Sequence, residues 1–223
     1  MSKMIARGFF AIAVFAVLLP GRIFACACCS EKGDYHLSTS QPNSYYLDVV
    51  NQFRYSDFAN LYLNAAGFEV VKGLAKEEEF EERDGGAVTG LNLASVTFAN
   101  KAWRFNFKSS KGTAGSLVLP LPTRMVEFKV DVHDGSDQGL GPLLYKEFRF
   151  KGNVASATGF ARGGITRGTT YFLVFQGRGR GCNEVSDFTH WRLEIDGPKA
   201  SYALYGKLTS SQDGTTAALQ ILQ

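Results

Sequence analysis

The chain has 223 residues, 45% of them hydrophobic and 13% aromatic, with 24 Gly and 6 Pro. That length fits one larger domain or two small ones, and the composition excludes a disordered, fibrous or collagen-like chain. The formal charge of +3 belongs to Lys3, Arg7 and Arg22, because from residue 26 onward 21 basic residues meet 21 acidic ones. A neutral chain has no global field to draw in nucleic acid or anionic lipid, so no nucleic-acid partner is expected.

Residues 1–25 read as an export signal. Lys3 and Arg7 make a positive start, Gly8 to Leu19 is apolar, and Pro20, Gly21 and Arg22 end the run before Ala25 and Ala27. The 12 apolar residues reach only about 18 Å as a helix, short of the ~30 Å of a hydrocarbon core. No later stretch is long and apolar enough, so no transmembrane helix is expected in the mature chain. Cleavage after Ala25 leaves Cys26 at the new N-terminus, and cleavage after Ala27 fits the small-x-small pattern. Ile23-Phe24-Ala25-Cys26 also has the form of a lipoprotein signal, apart from the bulk of Phe24, which makes an acyl anchor at Cys26 an alternative. The expected location is therefore periplasmic, cell-surface or secreted. Residues 26–223 form the one expected domain.

Three of the four cysteines, Cys26, Cys28 and Cys29, cluster directly after the signal, and Cys182 lies far downstream. Export implies an oxidising compartment, which favours disulfides. Every pairing of all four joins Cys182 to a member of the cluster. A Cys28–Cys29 bridge is strained, which leaves Cys26 with Cys28 or Cys29 and the remaining one with Cys182. Closing a loop of about 150 residues is worth ~5 kcal/mol in the chain-entropy estimate, an upper figure. The alternative is thiolate binding of copper or zinc, with His36 as the histidine close to the cluster. Only Cys26 and Cys29 have the C-x-x-C spacing and no second such pair exists, so a standard zinc site is disfavoured.

The body reads as antiparallel β. After a helical stretch at 43–51, short alternating segments follow one another between turn residues. Trp103, Phe105 and Phe107 share one face of 101–108. Val126, Phe128, Val130 and Val132 are expected inward in 125–133. Trp191, Leu193 and Ile195 share a face of 191–195. Asn100-Lys101, Ser109 to Gly112, and four Asp-Gly pairs (84, 134, 196 and 213) mark hairpins. Residues 76–83 are ambiguous, and their acidic run lacks calcium-loop spacing. The expected fold is all-β: a single antiparallel domain of about ten to twelve strands, as a barrel-like meander or a β-sandwich.

Gly177 to Cys182 (GRGRGC) follows an apolar strand, with no helix after it to make a dinucleotide loop. Read as a glycine loop, it offers backbone N–H groups together with Arg178 and Arg180 to an anion. Arg162 and Arg167 occupy a second glycine-rich loop and are expected to join them at one end. His133 and His190 read as exposed strand positions. The leading function is a non-enzymatic exported protein that binds a small or anionic ligand. The thiol-based copper or zinc protein is the first alternative, and an enzyme with its site at a barrel mouth the second.

Overall fold

The computed structural model describes residues 35–62, 72–74, 80–83, 88–132, 143–179 and 183–209. Among these residues the strands are β1 (Tyr35–Ser40), β2 (Arg54–Tyr55), β3 (Phe58–Leu61), β4 (Glu81–Arg83), β5 (Val88–Ala99), β6 (Ala102–Lys108) and β7 (Ala114–Pro120). They continue as β8 (Met125–Asp131), β9 (Leu144–Asn153), β10 (Ser156–Gly159), β11 (Thr170–Gly179), β12 (Phe188–Gly197) and β13 (Ala200–Thr209). One helix, α1 (Ser44–Asn51), and 3-10 turns at Arg162–Gly164 and Val185–Asp187 complete the elements used below. No helix among the described residues is long and apolar enough to cross a membrane.

The strands form one antiparallel sheet in the order β1-β8-β9-β11-β12-β13-β3-β5-β6-β7-β10, with β2 on β13 and β4 on β5. The all-β expectation holds. The hydrogen-bonded path does not close, yet covalent continuity brings its far edge back. β9 runs into β10 through Asn153 and Ser156, and β10 pairs with β7 at the opposite end of the order. Ala155 N–H donates to Val118 O (2.9 Å) at that corner, and the Tyr171 hydroxyl donates to Pro120 O. The sheet therefore folds over itself.

The fold-over follows from the side chains that alternate inward. Trp103, Phe105 and Phe107 of β6 are buried, as are Trp191, Leu193 and Ile195 of β12. The Trp103 ring lies 4.9 Å from Phe150 of β9, and Phe105 lies 5.4 Å from Trp191. These rings fill the space between the two halves, and full burial of each is worth on the order of 2–3 kcal/mol. Gly206, opposite Trp191 on β13, leaves the gap that the indole occupies. α1 forms where the sequence places it, with Asn43 Oδ1 accepting from Tyr46 N (3.4 Å) as N-cap. Its Val49 and Val50 are buried, and Phe53 just beyond packs 4.8 Å from Phe175.

The turns agree with the sequence in part. Asn100 and Lys101 both have positive φ (53° and 56°) and join β5 to β6 as a two-residue hairpin. Gly112 (φ +81°) closes the β6–β7 turn, where its N–H donates to Ser109 O. The β12–β13 turn is different. Gly197 pairs with Ala200, so Pro198 and Lys199 make the corner and Asp196-Gly197 belongs to the strand. The other three Asp-Gly pairs lie outside the described residues. Because lysine is strained at positive φ, Lys101→Gly should raise stability by about 0.5–1 kcal/mol in urea unfolding. A loss of stability would contradict this turn geometry.

Candidate functional site

The site begins with a strand whose faces are the reverse of the sequence expectation. On β8 the buried side chains are Met125, Glu127, Lys129 and Asp131, while Val126, Phe128 and Val130 are half-buried on the outer face. Alternation separates two faces but does not say which one turns inward. Here the charged face turns inward because counter-charges and a cover await it. The outer Phe128 is shielded by the Arg149 guanidinium, 4.8 Å above its ring, and by Tyr145 at 6.3 Å.

Inside, Lys129 stands directly across from Lys146 of β9. Two buried ammoniums side by side require anions, and the fold brings two. Lys129 Nζ lies 2.9 Å from Glu127 Oε1, and Lys146 Nζ lies 2.5 Å from Asp187 Oδ2. Asn183 Nδ2 donates to Glu127 Oε1 (2.7 Å), and the Tyr46 hydroxyl of α1 donates to Glu127 Oε2 (3.3 Å). Asp187 Oδ2 also accepts from Glu184 N (3.1 Å), which fixes the 3-10 turn. Burial pushes the Glu127 carboxyl up, but Asn183, Lys129 and Tyr46 outweigh it and hold it below its ordinary value. Burial holds the Lys146 ammonium below the usual lysine value, with Asp187 opposing. Burial, then the Glu127 carboxylate, raises the Tyr46 phenol.

The first two glycines of GRGRGC serve this cluster. Gly177 and Gly179 are buried, inward-facing residues of β11, so the segment up to Gly179 is strand and not the expected loop. A Cβ on Gly177 would overlap the Asp187 carbonyl oxygen, and one on Gly179 would overlap the Asp187 carboxylate. The glycines therefore clear a notch for the 3-10 turn. A bulge at Gln176/Gly177 shifts the β11–β12 register at the same point.

Among the described candidate arginines, Arg162 and Arg167 stand apart from Arg178. Arg162 and Arg167 are exposed before β11 begins, whereas Arg178 is exposed near its far end. At ~3.3 Å per residue, β11 separates Arg167 from Arg178 by more than about 25 Å. Arg180, His133 and all four cysteines, Cys26, Cys28, Cys29 and Cys182, lie outside the described residues. His36 is half-buried on β1 opposite Lys129. His190 is exposed on β12, its Nδ1 2.9 Å from Thr189 Oγ1. Among the described residues, no three His, Cys, Asp or Glu side chains gather as a metal site would require.

A different arginine lines a depression. Where β1 ends and β8 begins, Thr39, Ser40, Gln41, Thr123 and Arg124 surround an open volume of about 460 Å³. Hydroxyls, an amide and one guanidinium line it, and no carboxylate does. Such a lining suits a small oxyanion. The buried cluster has converging ionisable groups without access, since the side chains of Glu127, Lys129, Lys146 and Asp187 are 8% exposed or less. Its role is to hold the fold at this end. Sequence reasoning missed Glu127, Lys129, Lys146, Asn183, Asp187 and Arg124. One signal was present: Lys146 shares a face with Phe148 and Phe150, a charge in an apolar row.

Lys146→Met leaves a buried carboxylate without its ammonium and should cost about 3–5 kcal/mol, with Asp187→Asn comparable. The double variant should cost less than the sum by at least ~1 kcal/mol in urea unfolding. Strict additivity would show that the pair is uncoupled.

The chain matches no protein-family model, no curated protein and no solved structure.

Proposed function

We propose that this protein is an exported, disulfide-tethered and non-catalytic β-domain that binds a small anion. The observation that carries the reading is the depression at Thr39, Ser40, Gln41, Thr123 and Arg124, with its single guanidinium and no competing carboxylate in the lining. Arg124 takes the anion-binding role that the sequence had distributed over Arg162, Arg167, Arg178 and Arg180. A catalytic reading is disfavoured because the interior is filled by rings and the converging charges are buried in pairs.

Strand register supports the tether. Tyr35, Val130, Tyr145 and Arg178 form one row across β1, β8, β9 and β11. Three strand spacings separate Tyr35 from Arg178, about 14 Å. Cys29 precedes Tyr35 by six residues and Cys182 follows Arg178 by four. At up to ~3.3 Å per residue, those lengths span the gap with room for a bridge. Two disulfides would make the mature protein about 4 Da lighter than its all-thiol mass, with no thiol free to alkylate. A copper or zinc adduct whose thiols alkylate after chelation would replace this reading with the metal-binding one.

Ligand binding is tested by thermal unfolding with inorganic phosphate, sulfate or a small dicarboxylate, against chloride at equal ionic strength. A ligand that binds the native state raises the midpoint, by about 2.7 kcal/mol of stability at a hundredfold excess over Kd. The rise should vanish in Arg124→Ala and persist in Arg178→Ala. A rise that survives Arg124→Ala, or no rise with any of these anions, removes the anion reading.

A further inference from the structure

We propose that β1 is the contact strand of a two-fold homodimer, in which it pairs antiparallel with β1 of a second copy. Two separate observations meet at this strand. The first is hydrogen bonding: β1 has β8 on one side, and no described strand on the other. Its backbone N–H and C=O groups along that edge form a template for another strand. The second is the outer face. Tyr35 is 72% exposed and Leu37 56%, beside the half-buried Val126, Phe128 and Val130 of β8 and Val132 at 38%. An edge with no partner among the described residues and an apolar stripe thus occupy the same border of the sheet.

Within β1 itself the usual sequence protections of an edge are missing. Tyr-His-Leu-Ser-Thr-Ser carries no Lys, Arg, Asp, Glu or Pro, and no bulge interrupts its register with β8. β10, at the other end of the order, has only four residues, which is itself a protection.

Charge and pattern select a second copy as the occupant. A two-fold axis normal to the sheet keeps outer faces together only when the paired residue numbers sum to an even value. The centred choice puts Leu37 opposite Leu37 of the second copy, Tyr35 opposite Thr39 and His36 opposite Ser38. That gives an apolar pair at the centre and aromatic–β-branched pairs on either side, the favoured cross-strand combinations. No formal charge meets its like. A charged peptide would gain no counter-charge from β1 itself. In the dimer the two outer stripes join into one surface, and the contact is isologous, as in most homodimers.

Sedimentation of the mature chain tests this from about 5 to 500 µM, because a contact of this size falls at the weak end of specific interfaces. The wild-type mass should rise from one to two chains over that range. Leu37→Lys places two ammoniums across the axis and should weaken the dimer about tenfold or more, with far-UV circular dichroism unchanged. Thr39→Lys, on the same face, should weaken it less. Tyr205→Lys, 39% exposed on β13, should leave it intact. A monomer throughout, whether or not another part of the chain covers β1, overturns the proposal. So does a dimer that both Leu37→Lys and Thr39→Lys leave at full strength.

Discussion

Lys129 and Lys146 stand across from each other inside the sheet, and that placement constrains the whole of this end of the molecule. Taking an ammonium out of water costs several kcal/mol even after relaxation, and two adjacent ones repel as well. The arrangement is stable only with anions at fixed positions. Glu127 comes from the same strand as Lys129, two residues earlier and on the same face, so alternation alone delivers it. Asp187 must come from elsewhere, and the chain reaches it through the 3-10 turn before β12. That turn can approach Lys146 only because β11 presents hydrogen atoms at Gly177 and Gly179 where side chains would stand. The bulge beside Gly177 then lets β12 resume its pairing. One electrostatic demand thus accounts for a glycine motif, a bulge and a capped turn.

The same demand explains α1. The sheet's second layer, β5 to β7, covers the rings of β9, β11 and β12 through Trp103 and Phe105. At the β8 border the cover comes from the helix. Tyr46 lays its ring edge-on against Phe148 (5.3 Å) and donates its hydroxyl to Glu127. An apolar body with one polar tip suits a place where a ring wall meets a charged one.

The fold was largely legible in the sequence, and the site was not. Wherever the inward face carries aromatics, as at Trp103-Phe105-Phe107 and Trp191-Leu193-Ile195, period two and hydrophobicity agree and the reading holds. On β8 they conflict. Val126, Phe128 and Val130 are the more apolar set, and nothing local shows that Lys146 will stand opposite Lys129, that Asn183 will hydrogen-bond Glu127 or that Asp187 will supply the second anion. Those partners are 15 to 60 residues away in sequence and meet only through the sheet order. The glycine motif misled for a related reason. Gly-Arg-Gly-Arg-Gly looks like loop chemistry because strands rarely hold two glycines two residues apart, and the reason for both is an aspartate that comes eight to ten residues later. Arg162 and Arg167 stand a strand's length from Arg178, because spacing along the chain cannot tell that the ten-residue β11 runs between them.

The inversion of β8 has an outward consequence equal to its inward one. A strand has two faces and a fixed period, so turning Glu127, Lys129 and Asp131 inward forces Val126, Phe128 and Val130 outward. In the middle of a sheet, neighbouring strands on both sides would screen that apolar row. Among the described residues β8 is next to the border, with β1 alone beyond it. On its inner flank Arg149 and Tyr145 cover Phe128. On its outer flank stand Tyr35 and Leu37, which extend the apolar row to the edge instead of ending it. A soluble β-sheet ordinarily ends such a border with a lysine, a proline or a very short strand, and β1 has six uncharged residues. The buried ion cluster and the bare apolar border are therefore two results of a single choice of strand facing. A substitution series that returned β8 to the conventional facing would have to remove both together.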